Sequence, residues 1–400
     1  MQKPTLFGYG LTTKAIANTL DGGCIFFDDN IKEPFTDEQN NQVFPSAMFD
    51  PSQSELEVTT PSVKPANPLI TKARHLMSEY DYFAKTMPFS IWISGTNGKT
   101  TTTQMITHLL AKRGAVSGGN IGTPLAELDP NAPIWVLESS SFTLHHTHIA
   151  SPNIYLLLPI TPDHLDWHGT PQQYEADKLR PLLTMKEGEL ALIPKGLNLP
   201  QTNAFVVEYD SAEFLADYFN IDASKIRFKA AFLEDALVAL AVTKVLFDEV
   251  DYDLINSFRL DHHRQEEKQD RFGRLWVNDS KATNLDATIQ AIKGYNDRFI
   301  RLIIGGDDKG VDLTPLFELL TAQNVKLYTI GSNSERLAAL SERYDIDYLA
   351  CTVLDNAVQS IAQERSDNDV ALLSPAAASL DQFKSYKERG EIFFRLVENL

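Results

Sequence analysis

A run of small and hydroxylated residues, Ser94-Gly95-Thr96-Asn97-Gly98-Lys99-Thr100-Thr101-Thr102, stands between the apolar stretch Phe89-Ser90-Ile91-Trp92-Ile93 and a helical pattern over residues 104–113. A strand that breaks at glycines and restarts as a helix leaves backbone N–H groups without intrahelical partners, and an anion is favoured there. Lys99 adds a point charge for a β- or γ-phosphate, and Thr100 offers a hydroxyl to Mg²⁺. Gly95, Thr96, Asn97, Gly98, Lys99, Thr100 and Thr101 are therefore read as a cradle for the phosphates of a nucleoside triphosphate. The strict P-loop spelling wants a glycine where this chain has Ile93, so the motif departs from that pattern. An ordinary strand-to-helix turn is the competing explanation, and it must treat the glycines, the lysine and the two hydroxyls after it as coincidence.

Two further groups fall at strand ends downstream. The run Ile134-Trp135-Val136-Leu137 stops at Glu138-Ser139-Ser140, and Ile154 to Leu158 runs into Thr161-Pro162-Asp163-His164. Ligands of open α/β sheets sit outside the carboxyl ends of the strands, so Glu138 and His164 are candidate metal ligands beside the cradle. Alone, each has a plainer explanation as a helix-capping carboxylate or a hydrogen-bonded histidine. Lys178, within a helix that starts near Thr170-Pro171, reads on its own as a solvated surface lysine. Cradle, carboxylate and imidazole together suggest Mg²⁺-dependent phosphoryl transfer, a chemistry that depends mostly on positioning and charge neutralisation.

Composition limits the partners. The chain has 400 residues, 43% of them hydrophobic, and a net charge of −18. That length implies two or three domains. The acidic field disfavours nucleic acid and anionic membrane as bulk partners, so an anionic substrate must meet locally placed cations. Cys24 and Cys351 lie far apart and form no metal spacing, which suggests free thiols in a reducing compartment. No run approaches a membrane span, and Met1-Gln2-Lys3-Pro4 lacks the apolar core of a leader; a cytoplasmic monomer is expected.

The elements that must position these groups alternate strand and helix throughout, the pattern of parallel sheets covered on both faces. We read an α/β protein of three domains: residues 1–88 Rossmann-like, 89–259 a central P-loop-type mononucleotide-binding sheet, and 260–400 Rossmann-like again. In the first, Thr5 to Phe7 is a strand, Gly8-Tyr9-Gly10 a turn, and Gly23 to Phe27 a second strand ending at Asp28-Asp29, with the third fingerprint glycine replaced by Thr13. Residues 235–247 form a long apolar helix. In the last domain, strands at residues 274–277, 299–304, 325–330 and 370–373 each end in glycine-rich or polar sequence, so this domain should also offer a binding edge. Extra domains on both sides favour a ligase over a simple ATPase.

The spelling Gly95-Thr96-Asn97-Gly98-Lys99-Thr100 and the pair Asp163-His164 resemble the Mur ligase family, over essentially the whole chain. Asn278-Asp279-Ser280-Lys281-Ala282-Thr283-Asn284 and Ser374-Pro375 through Ser379-Leu380-Asp381-Gln382-Phe383-Lys384 resemble its D-glutamate-adding branch. The resemblance implies that ATP phosphorylates the carboxylate of UDP-N-acetylmuramoyl-L-alanine, and that the amine of D-glutamate displaces the phosphate from the acyl phosphate. It also implies roles for residues. Lys99 would hold the transferring phosphate, Thr100 and Glu138 one Mg²⁺, and His164 a second. Lys178 would be a carbamylated lysine facing the metals, so that Lys99, His164 and Lys178 form the catalytic set.

By the same resemblance, Arg264 and Asp279 reach ATP, with His263 beside Arg264. Lys281, Thr283, Lys309, Ser379 and Tyr386 bind the D-glutamate carboxylates. Leu11, Thr12, Asp28, Asp29, Asn120 and Ser140 bind the UDP-substrate. Departures from the usual pattern are Asn30 for an arginine, Ser62 for a glycine, and Phe232 and Asp235 for two asparagines that touch ATP. Domain closure is expected, because reacting atoms must come within roughly 3 to 3.5 Å. The alternatives are another Mur ligase, a folylpolyglutamate synthase-like amide ligase, or a nucleotide-binding relative without catalysis.

Overall fold

The computed structural model of the chain describes residues 3–400. Met1 and Gln2, part of the stretch read above for a leader, lie outside them. Among the described residues, three six-stranded sheets follow one another along the chain. The first runs Phe35–Thr36, Gln42–Pro45, Ile25–Asp28, Thr5–Phe7, Glu57–Thr59, Leu76–Met77 across its width, and the second Phe205–Tyr209, Leu190–Pro194, Ile154–Leu157, Phe89–Ser94, Ile134–Glu138, Ala115–Gly119. The third has the order Glu266–Gln269, Leu275–Asn278, Val370–Leu373, Ile300–Ile304, Val325–Ile330, Tyr348–Thr352. Pairing is parallel except at Phe35–Thr36 and Glu266–Gln269, two antiparallel edge strands. The three-sheet α/β organisation is the one anticipated.

The chain divides into two compact units, Met1–Arg227 with Leu233–Phe258 and Phe228–Phe232 with Arg259–Leu400. The first unit carries the first two sheets on a shared hydrophobic core. Asp81 ties them: its carboxylate accepts the N–H groups of His148, Ile149 and Ala150, each at 2.8 Å. Tyr80 adds a bond from its hydroxyl to the Glu138 carbonyl at 3.2 Å.

The central sheet is buried on both faces, as the unbroken apolar run predicts. Ile91, Trp92, Ile93, Val136 and Leu137 have no exposed surface. Its register matters for function. Ser94 pairs with Leu157, Ile93 with Glu138, and Gly119 with Glu138, so these strands stop at a common level. Chain order reverses at Phe89–Ser94, whose neighbours are Ile154–Leu157 on one side and Ile134–Glu138 on the other. That is the switch point where an open α/β sheet leaves a crevice.

The helix after the cradle spans Lys99–Leu110 and starts five residues before the anticipated Gln104. The threonines that obscured its start, Thr101, Thr102 and Thr103, are buried in it. Residues 115–119 form a further edge strand, Ala115–Gly119. The long apolar helix is Ala231–Phe247, four residues longer at its start than anticipated.

Candidate active site

The cradle's shape depends on two glycines. Gly95 has φ +145°, and a Cβ there would stand 2.6 Å from Leu158 Cβ. Gly98 has φ +81°, and its Cβ would meet Asp235 Oδ1 at 2.6 Å. No L side chain fits either place. Thr102 Oγ1 donates to the same Asp235 oxygen at 2.9 Å, so one of the two departures from the family's asparagines packs under the cradle. Phe232, the other departure, lies in the second unit.

Thr96 pins the loop rather than facing a ligand. Its hydroxyl donates to the Thr161 carbonyl and accepts the Thr161 N–H, both at 2.9 Å, and its own N–H donates to the Pro159 carbonyl. Thr101, with 1% exposure, is limited to its backbone N–H. Lys99 Nζ folds onto the carbonyls of Gly95 at 3.0 Å and Thr96 at 2.8 Å, a position at the helix N-terminus where an anion would draw it outward. Asn97 is partly exposed on the same turn.

Beside the cradle, Thr100 Oγ1 donates to Glu138 Oε2 at 2.8 Å, and Asn120 Nδ2 donates to Glu138 Oε1 at 2.6 Å. A hydroxyl and a carboxylate at this separation are hard oxygen donors of the type Mg²⁺ takes, so these residues fit the ion. Asn120 also lines an open cavity together with Leu11, Thr12, Tyr80 and Phe142. Three of the residues assigned to the UDP-substrate are thus brought together next to Glu138. Ser140 is buried and caps the Ser141–His145 helix through its hydroxyl, which accepts the Thr143 N–H at 3.1 Å. Asp28 accepts the N–H groups of Tyr9 and Asn30, both at 2.7 Å, and Asp29 is exposed and accepts from Asn67 Nδ2 at 2.6 Å.

Lys178 is no surface lysine. It is 1% exposed, with Nζ 2.7 Å from the Gly95 carbonyl and 4.6 Å from the centre of the Tyr174 ring. Burial, and then the neighbouring charge of Lys99, push its pKa well below the ordinary lysine value. A neutral amine is the form that reacts with CO₂ to give a carbamate. His164 is half exposed in a left-handed turn, φ 54°, with its ring 4.9 Å from that of Phe142. Asp163 Oδ2 lies 3.5 Å from His164 Nε2.

A buried polar network escaped the sequence reading. Asp177 has no exposed side-chain surface, and its Oδ2 lies 2.9 Å from His145 Nδ1 and 2.8 Å from His168 Nδ1. Its Oδ1 accepts from Gln173 Nε2 at 2.9 Å and Arg180 at 3.0 Å. The two histidines stand 23 positions apart with no recognisable spacing. The local signals were Gln173 and Asp177 at i and i+4 and Asp177 and Arg180 at i and i+3.

The second unit gathers its own set. Asp279 is buried at a strand end, where Oδ2 accepts from Ser374 Oγ at 2.8 Å and Oδ1 from the Gln265 N–H at 3.3 Å. Burial pushes its pKa up to about 7, against those bonds and the charge of Arg264. Arg264 is partly buried, and His263 is buried with Nδ1 3.0 Å from Asn278 Nδ2. Lys281 Nζ lies 4.1 Å over the Tyr386 ring. Thr283 is exposed and Ser379 buried. Lys309 is exposed in a left-handed turn, φ 51°, and the adjoining Asp307 pairs through its backbone with Ala378, next to Ser379. Strand order explains the gathering: Leu275–Asn278, Val370–Leu373 and Ile300–Ile304 are neighbours, so the loops after them share an edge.

Comparison with known proteins supplies what geometry alone leaves open. Residues 93–230 match the Mur ligase middle domain. The chain is 50% identical over 401 residues, 100% of both chains, to UDP-N-acetylmuramoylalanine–D-glutamate ligase of Campylobacter jejuni subsp. jejuni serotype O:23/36 (strain 81-176). It is 44% identical over 418 residues, 99% of each, to the protein of that name from Helicobacter pylori (strain ATCC 700392 / 26695). Among solved structures it is similar to a UDP-N-acetylmuramate–alanine ligase from Thermotoga maritima, with TM-score 0.57, 16% identity and 98% of each chain covered. A second is the MurF ligase of that organism in complex with ADP, with TM-score 0.56, 14% identity and coverage of 99% of this chain and 97% of that one. At such identities the two structures speak for a common fold.

Proposed function

The chain belongs to the UDP-N-acetylmuramoylalanine–D-glutamate ligases of the Mur ligase family, and from that premise we propose how its own residues carry out the reaction. It is an ATP-dependent ligase that adds D-glutamate to UDP-N-acetylmuramoyl-L-alanine in peptidoglycan synthesis. A carboxylate is a poor electrophile until one oxygen becomes a good leaving group. An oxygen of the L-alanyl carboxylate attacks the γ-phosphorus of ATP and ADP leaves, giving an acyl phosphate. The amine of D-glutamate then adds to the acyl carbon, and phosphate departs as the amide forms.

The assignment of residues rests on one observation above all: Lys178 is buried with its amine against the Gly95 carbonyl, on the sheet edge that also carries Thr100 and Glu138. Gly95, Asn97, Gly98 and the Thr101 N–H cradle the phosphates while Lys99 follows the transferred group, and Thr96 holds the loop. Thr100 and Glu138 would hold one Mg²⁺ and His164 with carbamylated Lys178 a second; such ions neutralise phosphate charge when bound. Asn120, bonded to Glu138 and open to the cavity with Leu11 and Thr12, places the substrate carboxylate next to the triphosphate, and Ser140, Asp28 and Asp29 complete that side. Arg264 and Asp279 serve ATP. Lys281, Thr283, Lys309, Ser379 and Tyr386 take the two carboxylates of D-glutamate.

We assign the UDP-substrate to residues 1–88, ATP to 89–259, and D-glutamate with part of ATP to 260–400, in a cytoplasmic monomer. Among the described residues no helix is long and apolar enough to cross a membrane. Phosphate release with UDP-N-acetylmuramoyl-L-alanine and ATP, compared for D-glutamate, L-glutamate, L-alanine, L-lysine and diaminopimelate, tests the reading. Release with D-glutamate supports it, and release with another amino acid in its place overturns it.

A further inference from the structure

We propose that Asp177 is a positioning residue for the metal-facing edge, a buried clamp that sets the three segments bearing Glu138, His164 and Lys178 in register. The proposal rests on reading those three as metal-facing groups. The carboxylate reaches all three segments. His145 closes the Ser141–His145 helix, which begins three residues after Glu138. His168 closes the short Leu165–His168 helix that His164 starts. Gln173 and Asp177 itself lie on the Pro171–Leu179 helix of Lys178, and Arg180 follows it. His168 passes the linkage on, since its Nε2 lies 3.0 Å from the Ser141 hydroxyl.

Four partners fill the four acceptor sites of the carboxylate. A fully buried ion costs several kcal/mol in lost hydration, so its retention with every lone pair aimed asks for a purpose other than packing. Adjacent residues on a helix diverge by about 100°. Asp177 therefore holds its helix from one side while Lys178 points from another to Gly95, and a loosened clamp would swing the lysine. His145, His168 and Asp177 also have the donor set of a divalent cation, with ligand atoms within 4.8 Å of one another. Here both imidazoles already face the carboxylate and Arg180 sets a positive charge on it, so the cluster is read as a hydrogen-bonded clamp.

The test uses the full chain and Asp177→Asn, which keeps the shape and loses acceptor capacity. Mn²⁺ binding is followed by electron paramagnetic resonance with a non-hydrolysable ATP analogue, and Lys178 carbamate by ¹³C resonance after labelled bicarbonate. The expected result is folded protein by near-ultraviolet circular dichroism, Mn²⁺ binding about tenfold to a hundredfold weaker and a reduced carbamate signal, with the KM for D-glutamate as in the parent. Folded D177N that binds Mn²⁺ and carries carbamate as the parent does overturns the proposal. Should D177N not fold, His145→Leu removes one arm and must weaken Mn²⁺ binding by less but measurably; unchanged binding overturns the proposal equally. Glu138→Gln separates the two readings. If it binds Mn²⁺ as the parent does, the metal-facing assignment falls and this proposal with it; if it weakens binding while D177N does not, only the clamp falls.

Discussion

Lys178 Nζ lies 2.7 Å from the carbonyl oxygen of Gly95, so a buried helix lysine is docked on the loop that would carry a triphosphate. Lys99 donates to that same carbonyl at 3.0 Å. Burial, and then repulsion from the Lys99 ammonium on the shared acceptor, both work against the charged form and hold the Lys178 amine well below the ordinary lysine range. Its amine lone pair can form an N–C bond to CO₂ with loss of one proton to solvent, and the product is an anion where a cation would have stood.

Lys178→Ala is expected to lower turnover by about a hundredfold, the upper range for losing an oriented group at a metal site. Acetate or formate should restore part of it by supplying the missing carboxylate in the space vacated. Phosphate release measured with and without 0 to high millimolar acetate checks this. Full activity without added acid removes the carbamate from the reading.

Lys99→Ala should leave the fold intact, because Gly95, Gly98 and Thr96 keep the shape of the loop onto whose carbonyls the Lys99 side chain folds. Turnover should fall by about a hundredfold to a thousandfold, the usual loss when a preorganised charge on the developing transition state is deleted. Circular dichroism and phosphate release together check it. A folded variant with parental turnover refutes the cradle.

Much of this edge was legible before folding was considered, and the physical reason is local. An apolar run that stops at glycine and restarts with helical spacing announces strand, turn and helix, so Ser94 to Thr100 and Glu138 could be placed at strand ends, whereas His164, expected at one, stands seven residues past Leu157 at the start of the Leu165–His168 helix. The edge strand Glu266–Gln269 could not be seen, since Glu-Glu-Lys-Gln has no apolar alternation and is held by pairing with Leu275–Asn278. The depth of Lys178 was hidden as well. Its burial comes from Ser94, Gly95 and Tyr174, two of which lie more than 80 positions earlier. Thr96 looked like a phosphate contact because its type suits one, yet Pro159 and Thr161 use its hydroxyl and N–H. Partners distant in sequence leave no periodicity to read.

Lys309→Ala should raise the D-glutamate requirement more than the ATP requirement. Its turn is fixed independently of its ammonium group: the Lys309 N–H donates to Asp307 Oδ1 at 3.1 Å, and the Asp308 carboxylate accepts from Asn333 at 2.8 Å and Arg336 at 2.8 Å. The substitution thus removes a charge from an unchanged loop. A charge-assisted contact is worth about 2 kcal/mol, roughly thirtyfold in KM for D-glutamate. Steady-state kinetics with each substrate varied in turn would show it, and a larger rise in the KM for ATP contradicts the assignment.

Glu79 gives the fold a pH dependence whose sign can be worked out. It is 8% exposed, lines the cavity next to Asn120, and accepts the Leu125 N–H at 2.7 Å. Burial pushes its pKa from 4.5 up to about 7, against the pull of the Leu125 and Ala126 N–H groups. The folded chain therefore keeps a proton that the unfolded chain releases near pH 4.5. Its contribution is complete below that pH, is lost as pH rises towards 7, and stays lost above. At ~1.36 kcal/mol per pH unit the whole loss is roughly 3 kcal/mol. Glu79→Gln keeps the acceptor for Leu125 and cannot ionise, so its urea midpoint for the first unit should match the parent's near pH 4.5 and exceed it increasingly up to pH 7. A difference between variant and parent that stays constant across that window would mean Glu79 ionises at the same pH in both states.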